Sequence, residues 1–214
     1  MPISRLLRLL SLSLALLCAG PVVAAELTAD MPPEQVTREA YARMQASDWL
    51  AAADTFDPAA LKRFRELLTP VFDAASRLDK DPAAQAQGTE SVGALMLWVL
   101  FAPATSIEEI KALSDREVFA RIMGNTMSLA SAKLEGQEVI GSVAEGADRV
   151  HVVTRNAAKV ETISMTKVEA ITLHRTAQGW RLALTGDLEG LAETLQASIA
   201  PLQTAPAETD APLP

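Results

Sequence analysis

The chain has 214 residues, 49% of them hydrophobic and 21% charged, with 19 lysines and arginines against 27 aspartates and glutamates. A single cysteine excludes a disulfide-stapled miniprotein, and a net charge of −8 argues against nucleic acid or anionic lipid head groups as partners, since both require basic patches. The length is ample for one hydrophobic core.

Residues 1–25 read as a secretory signal peptide. Arg5 and Arg8 make a positive start, Leu9 to Cys18 is a short apolar run, and Gly20-Pro21 breaks it. Val23 and Ala25 are small residues that place cleavage after Ala25. The run falls short of the roughly 20 residues a membrane span needs. A lipidated cysteine normally follows a small residue, whereas Leu17 precedes Cys18, so Cys18 leaves with the leader. The exported chain then carries no cysteine, and 17 basic residues against 27 acidic ones. These features predict a periplasmic protein without a membrane span, held together by its core alone. Residues 26–200 form one domain, and 201–214, rich in Pro, Ala and acids, form a disordered tail.

From Pro33 the sequence predicts a helix with Val36, Ala40, Tyr41 and Met44 on one face, ending at Ala46. Trp49-Leu50 opens a second apolar patch, and Asp57-Pro58 starts a longer helix with Asp57 as N-cap. Leu61, Phe64, Leu68, Val71 and Phe72 form its face, and Pro70 is expected to kink or split it. Residues 78–90 read as a loop. Residues 92–102 (VGALMLWVLFA) are apolar on every side, which predicts a helix buried all round or facing a partner. Pro103 ends it. Ser106 with Glu109 and Ser114 with Glu117 are two capping boxes, opening a short helix and a longer one that runs to about Leu129.

Strands follow. QEVIGSVAEG starts at Gln137. The second run, DRVHVVTRN, is apolar on both faces, which predicts a central strand covered on both sides, with a turn at Asn156 to Lys159. Ile163 to Arg175 is the longest β run, Thr176 to Gly179 a hairpin connection, and Trp180 to Leu184 the last strand. Asp187 caps a final helix with the stripe Leu188, Leu191, Leu195 and Ile199. The fold class is therefore α+β: N-terminal helices on a curved, mainly antiparallel four-stranded sheet, then a C-terminal helix. Trp49 and Trp180 are placed in the core.

Two stretches carry a family resemblance: Ala40, Tyr41, Met44, Asp48 and Trp49 near the start, and R-T-A-Q-G-W-R-L across Arg175 to Leu182. With helices first and an antiparallel sheet after, residues 34–185 resemble an NTF2-like (cystatin-like) domain. The resemblance implies a sheet wrapped round helices into a cone with a pocket. The helices over 89–129 are additional to the minimal pattern, and an inserted apolar helix there is able to fill the pocket.

No motif for metal, nucleotide or serine-nucleophile chemistry stands out, and neither cofactor nor metal is expected. Ser164 and Lys167 match S-x-x-K, but on a strand they point to opposite faces. The candidate binding residues are Leu95, Trp98, Leu100 and Phe101 of the apolar helix, with His151 and His174 of the strands. The leading expectation is a non-catalytic periplasmic protein binding a small apolar ligand or a protein partner, as monomer or homodimer. The alternative is a small cofactor-independent enzyme, with His151 or His174 as base and Asp48, Asp54 or Asp57 supplying a carboxylate. A third reading is an envelope-assembly role with a dimer through the exposed sheet face.

Overall fold

A computed structural model describes residues 26–80 and 98–203. Helix α1 (Pro33–Gln45) begins where the sequence places it, because Pro33 fills a position whose N–H has no helical acceptor. Val36, Ala40 and Tyr41 form its buried face. Asp48 caps α2 (Trp49–Ala53) by accepting from the Ala51 N–H at 3.1 Å. Asp57 in turn accepts from the Ala59 N–H at 2.9 Å and starts α3 (Pro58–Lys80). Pro70 does not split α3, which runs through it as one element. Pro70 lies on the exposed side of the helix, while buried Leu68, Val71 and Phe72 hold both halves to the core. The helix also outruns the loop expected from residue 78, reaching Lys80; the rest of that loop, 81–90, lies outside the described residues.

The apolar segment is described from Trp98, and 98–101 form a helical turn. Leu100 and Phe101 are buried, with the Phe101 ring 5.4 Å from that of Phe72, edge to face. Helix α4 (Ile107–Ala112) is capped by Ser106, yet the reciprocal half of the expected box is missing. The Glu109 carboxylate reaches one residue further, to the Thr105 N–H at 2.7 Å. At α5 (Asp115–Leu129) the Ser114–Glu117 box is complete.

Strands β1 (Ala132–Ala144), β2 (Arg149–Val160), β3 (Ile163–Thr176) and β4 (Gly179–Leu182) form one antiparallel sheet in that order. The fold is α+β, as the sequence predicts. Two boundaries move. β1 starts at Ala132 rather than Gln137, and β2 continues through Asn156 to Lys159, the expected turn. Each of those residues has a partner on both sides, Asn156 facing Gln137 and Lys167, so ladder pairing overrides the local turn preference. The chain reverses instead at Glu161, whose φ is 53°. Gly179 closes the β3–β4 hairpin at φ 100°, and a Cβ there would stand 2.8 Å from the Ala29 carbonyl oxygen. Residues 55–57 run beside β4: Leu182 N–H donates to Thr55 at 2.9 Å and Asp57 N–H to Leu182 at 2.8 Å.

Val139, Val150, Val152, Ile171, Leu173 and Leu182 alternate onto one sheet face and meet Phe56, Phe64 and Phe119 of the helical layer. Among the described residues no element covers the second face of β2: His151, Val153 and Arg155 lie on a face that contributes nothing to the core. Arg155 is exposed, and the partial burial of His151 and Val153 comes from cross-strand neighbours, Val153 between Gly141 and Ala170. Helix α6 (Gly186–Gln203) returns over α3 through Leu188, Ala192 and Leu195. Thr185 caps it, accepting from the Leu188 N–H at 3.4 Å, whereas the expected cap, Asp187, sits in the first turn and pairs with Lys167. The helix carries on through 201–203, so the expected tail starts no earlier than 204; residues 204–214 lie outside the described residues.

Candidate functional site

Five of the six candidate residues are described, and the structure does not bring these five together. Leu95 lies outside the described residues. Leu100 and Phe101 are core, and Trp98, beside them, is 37% exposed. Asn125 and Arg121 of α5 bond the carbonyls of Leu100 and Ala102, at 2.8 Å and 2.9 Å, so this turn is fastened to the helix beneath it. His151 and His174 lie on the uncovered face of the sheet, away from those three. His151 contacts Glu145 at 2.8 Å and Thr172 at 3.0 Å. His174 stands 4.0 Å from Asp57, beyond the reach of a proton-transferring hydrogen bond. Asp48 and Asp57 are helix caps, and Asp54 pairs with Arg116 at 2.7 Å. Ser164 and Lys167 occupy opposite faces of β3, as their strand spacing requires.

Among the described residues, two neighbouring hollows lie where three elements converge, and Trp49 stands between them. Helix α1 ends at Ala46, Ser47 turns the chain with a φ of 59°, and Asp48 makes Trp49 the first residue of α2. Across from it, α5 carries Gly124, where a Cβ would come 2.9 Å from the indole Cδ1. The glycine leaves room for the five-membered ring of the indole, whose Cδ1, Nε1 and Cγ come nearest, to approach the helix. On one side of the indole is a hollow of 610 Å³ between the ends of α1 and α5 and the start of β1, lined by Met44, Met127 and Leu134 with Gln45 and Lys133 at its edge. On the other is a hollow of 480 Å³, lined by Leu50, Pro103 and Ala120 with Arg121 and Asn125. Ser47, Trp49 and Gly124 belong to both. These volumes suit a small organic molecule.

The chemistry of the lining is that of recognition. Thioethers and an indole offer adaptable apolar contact. Gln45 is held by the carbonyls of Leu134 and Glu135, at 3.2 Å each. The two acids present, Asp48 and Glu117, are spent on helix caps. Hydrogen bonds from Ser114 hold the Glu117 carboxyl below its usual range, which keeps it ionised and bound to the cap. Among the described residues no group of three or more His, Cys, Asp or Glu side chains is arranged to hold a metal ion. The sequence reading missed this site by placing Trp49 in the core, where the structure leaves it half-buried. The signal was Gly124: a glycine within a helix costs about 1 kcal/mol relative to alanine, so its presence points to something packed close against it.

A second, polar group lies on the inner sheet face where the helical layer ends. The Asn156 amide donates to Thr154 at 3.2 Å and to Glu169, and Lys167 bridges Glu169, at 3.1 Å, and Asp187. Tyr41 Oη lies within 2.8 Å of the Gly136 carbonyl and 3.0 Å of that of Ala157, across the β1–β2 pair, and burial pushes its pKa up. This Tyr41 contact ties α1 to the sheet.

Fold and site together define an α+β protein with an amphipathic hollow on each side of one tryptophan. No family model, no curated protein and no solved structure matches the chain.

Proposed function

We propose that the protein is a non-catalytic, exported periplasmic binding protein of NTF2-like descent whose ligand occupies the hollows flanking Trp49. The observation that carries this reading is the pair of half-open cavities sharing one indole wall, in which apolar side chains such as Met44, Met127 and Leu50 alternate with polar ones, Gln45, Lys133 and Arg121 among them. Such a lining favours a small molecule with an apolar body and a polar or anionic end. Histidine-based catalysis is the weaker reading, because neither His151 nor His174 lines a described hollow.

Native mass spectrometry of the chain from Glu26, prepared from periplasm, tests the proposal, together with titration of anilinonaphthalene sulfonate against tryptophan emission. A bound mass released on denaturation, or saturable dye binding lost in Met127→Trp, is expected, since the larger side chain fills the 610 Å³ hollow. Dye binding unchanged in Met127→Trp and in Ala120→Trp would remove the ligand site from this place. Turnover of any substrate that survives replacement of both histidines by Gln would end the histidine-base alternative.

A further inference from the structure

The sheet has two outer edges, and they are built differently. β1 is interrupted by register shifts at Glu135 and Ile140, extra residues that kink an edge and spoil it as a template. β3 has none: it pairs with β2 residue for residue from Ile163 to His174. β4 covers β3 only at Leu173 to Thr176, and among the described residues nothing pairs with the edge before Thr172. Ile163, Met165 and Val168 along it are 64%, 50% and 57% exposed. A long strand edge of this kind, without a bulge and with exposed apolar side chains along it, is what proteins avoid leaving bare.

The direction of the backbone groups follows from two bonds. Arg175 N–H donates toward β2, to Asp148 at 2.8 Å, while the Thr172 carbonyl accepts from Ala183 on the opposite side at 2.9 Å. Alternation then turns the N–H and C=O of Thr166, Val168 and Ala170 outward along the free edge. Side-chain charge selects the register. In an antiparallel pairing of β3 with itself, a two-fold axis at Lys167 or Glu169 sets like charges opposite each other, and an axis at Thr166 sets Lys167 against Met165. An axis at Val168 sets Lys167 against Glu169 of the partner subunit and Met165 against the partner's Ile171. Lys167, which already bonds its own Glu169 at 3.1 Å and Asp187, then gains the partner's Glu169 as a third carboxylate.

We propose that two copies of this chain pair through the β3 edge about a two-fold axis at Val168, joining their sheets into one antiparallel sheet. About six backbone hydrogen bonds would form, from Thr166, Val168 and Ala170 of each copy. The two-fold closes the edge, so the assembly stops at a dimer. The inference does not depend on the ligand site.

Sedimentation velocity across the micromolar range tests it, with thermal unfolding and circular dichroism confirming that each variant folds. The wild-type chain is expected at twice its own mass. Lys167→Glu and Glu169→Lys, tested singly, each set two like-charge pairs across the axis and weaken association roughly tenfold or more. Combining them restores opposite charges and recovers the dimer. Val168→Pro removes an outward N–H without touching the β2–β3 ladder, and should yield a folded monomer. Amide exchange at Thr166, Val168 and Ala170 in the wild-type protein should slow as concentration rises, which reports on the edge even if a variant fails to fold. A monomer at every concentration, a dimer indifferent to these variants, open-ended growth, or protection independent of concentration would each overturn the proposal.

Discussion

The sheet consists of two unlike halves. Around Val150, Val152, Leu173 and Leu182 one face lies under α1, α3 and α5, and Phe56, Phe64 and Phe119 pack into it. Beyond Asn156 the same strands continue, and β3 from Ile163 to Val168 is exposed on both faces. The β2–β3 ladder is equally complete in both halves. What differs is cover: in the first half stability comes from buried apolar area, in the second from backbone pairing and a few charges. Hydrogen bonding extends a strand, but the layer above it decides where the core stops.

The sharpest way to break the covered half is Phe119→Ala, which empties the place where Phe56 and Phe64 meet. It should cost about 3–5 kcal/mol in urea unfolding. Val152→Ala, under the same layer, should cost about 2 kcal/mol by the same measurement. Tyr41→Phe removes the hydroxyl that bonds the β1–β2 pair and should cost about 1 kcal/mol.

The halves also separate on the pH axis. Ser142 bonds the Glu34 carboxylate and holds its pKa below the ordinary 4.5, clasping α1 to the covered half. A depressed carboxyl stabilises above 4.5 and loses that contribution as pH falls through its folded value, so Glu34→Gln should flatten the acid limb of melting temperature against pH. Lys167, in the uncovered half, is raised above 10.5 by Asp187 and then Glu169. Its contribution is complete below 10.5 and fades as pH rises through the higher folded value, so Lys167→Met should flatten the alkaline limb instead. The smallest effect sharpens the contrast: Val168→Ala should change the unfolding free energy of the monomer by less than about 0.5 kcal/mol, against about 2 kcal/mol for Val152→Ala.

Much of this architecture was legible in local chemistry. Pro33, Asp48, Asp57 and Ser114 start helices because a capping side chain or a missing N–H acts within three residues. Misreadings arose where distant partners decide. Asn156 to Lys159 has turn chemistry, but strands on either side of it supply its hydrogen bonds. Asp187 has the chemistry of a cap, but Lys167 claims its carboxylate and leaves the cap to Thr185. The site was hidden for the same reason. Trp98, Leu100 and Phe101 looked like a binding stripe because hydrophobicity cannot tell a core helix from a pocket wall, and Phe72 resolves it only by packing against Phe101.

The sequence by itself determined the α+β class, the order of the elements and most helix starts, because periodicity and capping are properties of neighbours along the chain. Only the tertiary structure decided that Trp49 faces two hollows across Gly124, that His151 and His174 lie on the sheet face opposite the core, and that β3, among the described residues, keeps an edge without a strand partner before Thr172. Those outcomes depend on which elements approach one another and where the helical layer ends, and residues far apart in the chain settle both.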